Sequence, residues 1–217
     1  MSRGLLFRLD ARSTFERRAF RIMRDRLVRR GPRGDGHRVI VLPGHTNDGA
    51  ESEPLLGFLR ELGYRAEDWG LGTNVGPTPQ IEAGLVELVD AIEPSDPVSL
   101  VGLSLGGIYA RALARHAPAR IRRVVTMGTP FGEALGGYGR PSGGLLSPGA
   151  ERDQPSPPVP TTAIWSRLDR FVEPAATRLP EGDVHPFHEN VQIVGGHCGM
   201  MINPMALRVL ADRLAGD

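Results

Sequence analysis

A chain of 217 residues, 40% hydrophobic and 24% charged, has the size and balance of one globular domain, which argues against a two-domain enzyme and excludes a disordered or fibrous chain. The formal net charge of +1 conceals an asymmetry: residues 1–38 hold 12 Arg against 4 acids, the remainder holds 14 Arg against 21 acids, and there is no Lys. The single cysteine, Cys198, excludes an internal disulfide. No apolar run approaches the roughly 18 residues of a bilayer span, and the first residues lack the apolar core of a signal peptide, so a soluble cytoplasmic protein is expected.

The first predicted element is a helix from Thr14 to Arg30, with Phe15, Ala19, Ile22, Met23 and Leu27 at helical spacing and Arg on the other faces. It is expected to pack this stripe against the body; contact of residues 14–30 with an anionic membrane surface is the main alternative. A nucleic-acid partner is not expected, because no groove-reading motif accompanies the basic residues. Gly31, Pro32, Gly34 and Gly36 then end the helix. This divides the chain into an Arg-rich helical segment, 1–37, and a body, 38–217.

In the body, short apolar runs (RVIVL from Arg38, PVSLV from Pro97, RRVVT from Arg122, VPTTAIW from Val159, NVQIV from Asn190) read as buried strands, with YRAEDW from Tyr64 a weaker sixth. Helical stripes lie between them. Leu55, Leu56, Leu59 and Leu62 follow a Ser52 cap, and Ile81, Leu85, Leu88, Val89 and Ile92 form a second stripe. Leu207, Leu210 and Leu214 follow an Asn203 cap with Pro204 in the first position. The fold class is therefore α/β, a mostly parallel sheet of about six strands with helices on both faces. Residues 127–160 hold 8 Gly and 7 Pro and suit neither helix nor strand. They are expected to form a long, lid-like loop over a pocket, the alternative being a floppy insertion.

The sharpest chemical signal is Gly102-Leu103-Ser104-Leu105-Gly106, set between an apolar strand and a helix of small residues. That context suits a nucleophile elbow, in which glycines two residues either side of the serine relieve crowding at a strained turn. A serine hydroxyl needs a base. His197 qualifies because it follows the NVQIV strand and precedes the Asn203 cap, on the edge of the sheet where the elbow opens. His185 and His188 precede that strand, His116 lies in the helix after Ser104, and His37 precedes the first strand. Asp169, after the VPTTAIWS strand, is the expected carboxylate, with Glu173 and Asp183 as competitors. The order Ser, Asp, His suits this topology. Asp183, His185 and His188 do not read as a metal site, since Pro186 prevents the helix that would align them. Cys198 reads as a small buried residue, and Asn74 as a turn former.

These segments together resemble the α/β-hydrolases of the lipase and esterase type: VIVLPGH from Val39, VGLSLGG from Val101, VTMGTPFG from Val125, IWSRLDRFVEP from Ile164 and GGHCGM from Gly195 recur in order over residues 38–214. WGLGTNVGP from Trp69 is similar to a segment of a bacterial lipase-like group with a comparable Arg-rich N-terminal helix. The resemblance implies a small α/β-hydrolase fold in which the early antiparallel strands are replaced by that helix. It also implies an oxyanion hole from the backbone N–H groups of His45 and Leu105, with Thr46 as an alternative donor. The expected function is cleavage of carboxylic esters, the partner a small-molecule ester or lipid, with no cofactor and no metal. An acyltransferase or thioesterase with the same three residues, or a non-catalytic binding protein on the same fold, is the alternative.

Overall fold

Apolar runs without polar alternation become strands covered on both faces. The computed structural model describes residues 11–180 and 187–216, with side chains from Thr14 onward; Asp183 and His185 lie outside the described residues. Six strands, β1 (Arg38–Leu42), β2 (Arg65–Asp68), β3 (Val98–Leu103), β4 (Ile121–Met127), β5 (Thr161–Ser166) and β6 (His188–Ile193), form one sheet in the order β2-β1-β3-β4-β5-β6. Every pairing is parallel, so the sheet is wholly rather than mostly parallel. All six residues of β3 are buried.

Strand periodicity sends alternate residues to two separate cores. Val39, Val41, Val101, Val125 and Met127 face the helices α2 (Glu53–Leu62) and α5 (Pro204–Leu214). Ile40, Leu42, Leu100 and Val124 face α3 (Pro79–Asp90) and α4 (Leu105–His116). Thr78 caps α3 by accepting from the Ile81 amide at 3.2 Å, and Asn203 caps α5 by accepting from Met205 at 2.9 Å. Ser52 makes no such bond: it sits in a short 3-10 turn that runs straight into α2 and leaves its side chain off the helix end. Pro54 in the first turn, which has no N–H to cap, and a left-handed Gly63 delimit α2 instead.

The first helix, α1 (Ala11–Arg30), lies outside α2 and α5, but only part of the expected stripe faces them. Phe15 and Ile22 point to solvent, 74% and 72% exposed, whereas Phe20, Leu27 and Val28 pack against the core. The residue it buries most deeply is an acid, Glu16. With Arg on all sides the helix has little intrinsic preference for one face, so tertiary partners decide the rotation. Among the described residues no helix is long and apolar enough to cross a membrane.

The Gly/Pro-rich stretch from 128 to 160 is tied to the body at several points. Phe131, Leu135, Leu146 and Val159 are buried, and Ala134 bridges Ala150. Glu82 of α3 accepts from the Ser142 amide, from Ser142 Oγ at 2.7 Å and from the Leu146 amide at 3.2 Å. Glu151 accepts from Arg111 Nε at 2.9 Å and Arg115 Nη2 at 3.0 Å, with Arg111 only 1% exposed. Removing one partner of a buried ion pair costs about 3–5 kcal/mol. Glu151→Ala is therefore expected to lower Tm by roughly 6–12 °C or more in a chain of this size, read by calorimetry; a fall below about 2 °C would show that the staple is dispensable.

Candidate active site

In a parallel sheet every strand delivers its following loop to the same rim. That rim receives the 43–47 loop after β1, Ser104 after β3, Gly128 after β4, Asp169 after β5 and His197 after β6. His188 and His37 lie at the opposite ends of their strands, bonded to the Val159 carbonyl and to Ser99 respectively. His116 is exposed at the end of α4.

Ser104 occupies the turn between β3 and α4 with φ 48 and ψ −119, a conformation that costs a non-glycine residue of order 1–3 kcal/mol. Among the described residues only Thr46 shares a positive φ without being glycine. Close packing holds the turn: a Cβ on Gly106 would lie 2.2 Å from the Leu42 carbonyl oxygen, and one on Gly102 2.3 Å from Gly107 Cα. The Ser104 amide donates to the Met127 carbonyl at 2.8 Å. Leu105 opens α4, so its N–H belongs to the first turn, which the helix itself cannot satisfy. Ser104 stays half-buried while its immediate neighbours are buried.

His197 and Asp169 meet. Nδ1 of His197 lies 2.6 Å from Oδ2 of Asp169, with both side chains nearly inaccessible. The other carboxylate oxygen, Oδ1, accepts from the amides of Phe171 at 2.9 Å and Val172 at 3.0 Å, so backbone donors fix its orientation. Glu173, the described competitor, is exposed. Both the Ser104 backbone and the His197 ring rest on the turn that ends β4. Met127 accepts from Ser104, and a Cβ on the next residue, Gly128 (φ 60), would lie 3.0 Å from His197 Nδ1. The Phe171 ring lies against the imidazole, centroids 5.5 Å apart.

The 43–47 loop passes beside the serine: a Cβ on Gly44 would be 3.4 Å from Ser104 Cβ. Thr46 is not a free oxyanion donor, because its amide is used in a bond to the Asn74 carbonyl at 2.7 Å. Asn74, fully buried, is more than a turn former. Its Nδ2 donates to the Pro43 carbonyl at 2.8 Å, its amide donates to Asn47 at 2.9 Å, and its Oδ1 accepts from Gly76 and from the Tyr109 hydroxyl. Burial, assisted by the Glu82 carboxylate, pushes the Tyr109 phenol far above its ordinary value, so it remains a neutral donor. These bonds lock the strained Thr46 and the adjacent His45. If the 43–47 loop supplies a backbone donor to the reaction, Asn74→Ala is expected to reduce turnover about 10- to 100-fold with little change in KM, since loosening such a donor affects the transition state most; a rise in KM with turnover unchanged would instead assign Asn74 to substrate binding.

Two further residues escape sequence reasoning. Ser166, at the end of β5, donates to the Gly195 carbonyl at 2.7 Å and accepts from the amides of Gly195 and Leu168, joining the loops of His197 and Asp169. Glu16 reaches the His197 loop from α1, accepting from the Gly196 amide at 2.9 Å. Cys198, next to His197, is half-buried rather than buried. Among the described residues no cluster of three His, Cys, Asp or Glu side chains could hold a metal ion.

The sequence matches no protein-family model and no curated protein. Solved structures are similar to it over 82–86% of its length. BpoC of Mycobacterium tuberculosis H37Rv, named as a non-heme bromoperoxidase, shares 19% identity with a TM-score of 0.61, over 83% of this chain and 92% of that one. Naproxen esterase of Bacillus subtilis shares 14% identity with a TM-score of 0.60, over 86% of each chain. MGS-MChE2, an α/β hydrolase enzyme from a lagoon-sediment metagenome, shares 20% identity with a TM-score of 0.58, over 83% of this chain and 91% of that one. With its parallel six-stranded sheet, two helical layers and a serine at the strained turn after β3, the chain has the α/β-hydrolase fold.

Proposed function

We propose that this protein is a serine hydrolase that cleaves carboxylic esters through an acyl-enzyme on Ser104. The observation that carries the reading is the buried His197–Asp169 hydrogen bond of 2.6 Å, resting on the same turn after β4 as a serine held at positive φ. His197 Nε2 takes the Ser104 hydroxyl proton as Oγ forms a bond to the ester carbonyl carbon. The backbone amides of His45 and Leu105 stabilise the oxyanion, each donor worth about 3 kcal/mol in the transition state. Collapse expels the alcohol, which receives the proton from His197; water then attacks the acyl-enzyme by the same path and releases the acid. Asp169 accepts from Nδ1–H and stabilises the imidazolium. The similar structures named naproxen esterase and, for MGS-MChE2, an α/β hydrolase enzyme support this class. Exposed Val75 and Leu168, with Phe171 against the imidazole, favour a hydrophobic acyl group.

A chain-length series of p-nitrophenyl esters, with fluorophosphonate labelling, tests the reading. Turnover favouring medium or long acyl chains and an adduct on Ser104 are expected; folded protein that neither turns over nor labels would favour a binding protein. Product analysis with added alcohols and thiols separates hydrolysis from acyl transfer.

The outward face of α1 supports a second contact, with an anionic membrane surface. Phe15 and Ile22 are exposed beside exposed Arg18, Arg26 and Arg29, the pairing of apolar wedges and cations that favours an anionic lipid interface. Sedimentation with anionic vesicles is expected to fall several-fold in Phe15→Ser/Ile22→Ser; equal sedimentation of wild type and variant would end the idea.

A further inference from the structure

A carboxylate flanked in sequence by Arg17, Arg18 and Arg21 has cations and water at hand on the surface, and burying it is costly unless donors meet it. Glu16 is nevertheless only 4% exposed. Its Oε1 accepts from the Gly196 amide at 2.9 Å and from Asn203 Nδ2 at 3.0 Å. Asn203 also donates to the Val194 carbonyl at 2.9 Å and caps α5. The carboxylate thus ties together both ends of the segment that carries His197. The segment is wrapped tightly around it: a Cβ on Gly195 would lie 2.5 Å from Oε1, and one on Gly199 1.5 Å from Oε2.

Building on the serine-hydrolase reading, we propose that Glu16 is a positioning residue for His197, which makes the Arg-rich helix a working part of the active site. Asp169 fixes the rotation of the imidazole through Nδ1. That bond does not fix the backbone from which the ring hangs. The Gly196 amide held by Glu16, on one side of His197, and the bond from the Met200 amide to the His197 carbonyl at 3.2 Å, on the other, do so. A displacement of about 1 Å at a catalytic base can lower the rate about 10²-fold. The burial of Glu16 in place of Phe15 or Ile22 follows, since the loop amide and the Asn203 side chain need an accepting side-chain oxygen on this turn, which neither apolar residue offers.

The test uses the full chain. Glu16→Ala is expected to lower kcat on p-nitrophenyl esters roughly 10- to 100-fold with KM within about twofold, and to broaden or shift the low-field proton NMR signal of the His197–Asp169 hydrogen bond. Glu16→Gln, which retains the accepting oxygen, is expected to recover kcat to within about threefold. Val28→Ala, which weakens the packing of α1 elsewhere, is expected to lower Tm and leave the NMR signal and kcat in place. If Glu16→Ala does not fold, Glu16→Asp replaces it: its carboxylate is retracted by one methylene, so it should fall well below Glu16→Gln, and equal values for the two overturn the proposal. A folded Glu16→Ala with an unchanged signal and kcat within twofold of wild type overturns it too. Failure of the hydrolase reading looks different: wild-type protein neither turns over esters nor labels, while the proton signal still reports on Glu16.

Discussion

Ser104→Ala is expected to lower kcat/KM on p-nitrophenyl esters by at least about 10³-fold, because it removes the atom that would form the acyl-enzyme and leaves only oxyanion stabilisation and binding. The fold should survive. The substitution deletes one oxygen from a half-buried side chain whose amide bond to Met127 is retained. Alanine is no less strained than serine at φ 48, so Tm is expected to shift by only a few degrees. Steady-state kinetics with fluorophosphonate labelling reads the first effect and calorimetry the second; turnover near the wild-type level would remove Ser104 from the mechanism.

Asp169→Asn is expected to cost about 10³- to 10⁴-fold in kcat at neutral pH while leaving the backbone in place. The hydrogen bonds of Asp169 dictate the direction. Oδ1 accepts from the Phe171 and Val172 amides, so an asparagine at 169 must keep its oxygen there and turn its NH₂ toward His197. That donor requires Nδ1 to be the acceptor, which places the imidazole proton on Nε2, the nitrogen that has to receive the proton of Ser104. The neutral ring is then held in the wrong tautomer. A variant with the same Tm and an activity within tenfold of wild type would show that the carboxylate at 169 only holds the ring in place.

Much of the architecture is legible in local pattern. VSLVGL is apolar enough to be read as a strand with two buried faces, and all six of its residues are. Asn203 followed by Pro204 reads as a helix start because both the missing N–H and the capping oxygen act within three residues. The weak RAED strand was readable only from its flanks, since an edge strand carries polar side chains. The pairing of His197 with Asp169 could be anticipated because parallel topology sends consecutive loops to one rim. Ser52 misled because its type suits a cap while its backbone had already entered a helical turn. Thr46 misled because its amide is consumed by a residue 28 positions away, through a carbonyl that any residue type could offer.

The sequence by itself determined the alternation of strands and helices along the chain, the strained turn at Ser104 and the start of α5, because these depend on side-chain spacing and on interactions across a few residues. Tertiary structure alone decided which face of α1 is buried and that Glu16 meets a loop 180 residues away. It also placed Glu151 between Arg111 and Arg115 to pin the Gly/Pro-rich stretch. The physical reason is common to these cases. A charged side chain has no periodicity that announces burial, and its place is settled by whichever distant donors can compensate its loss of water.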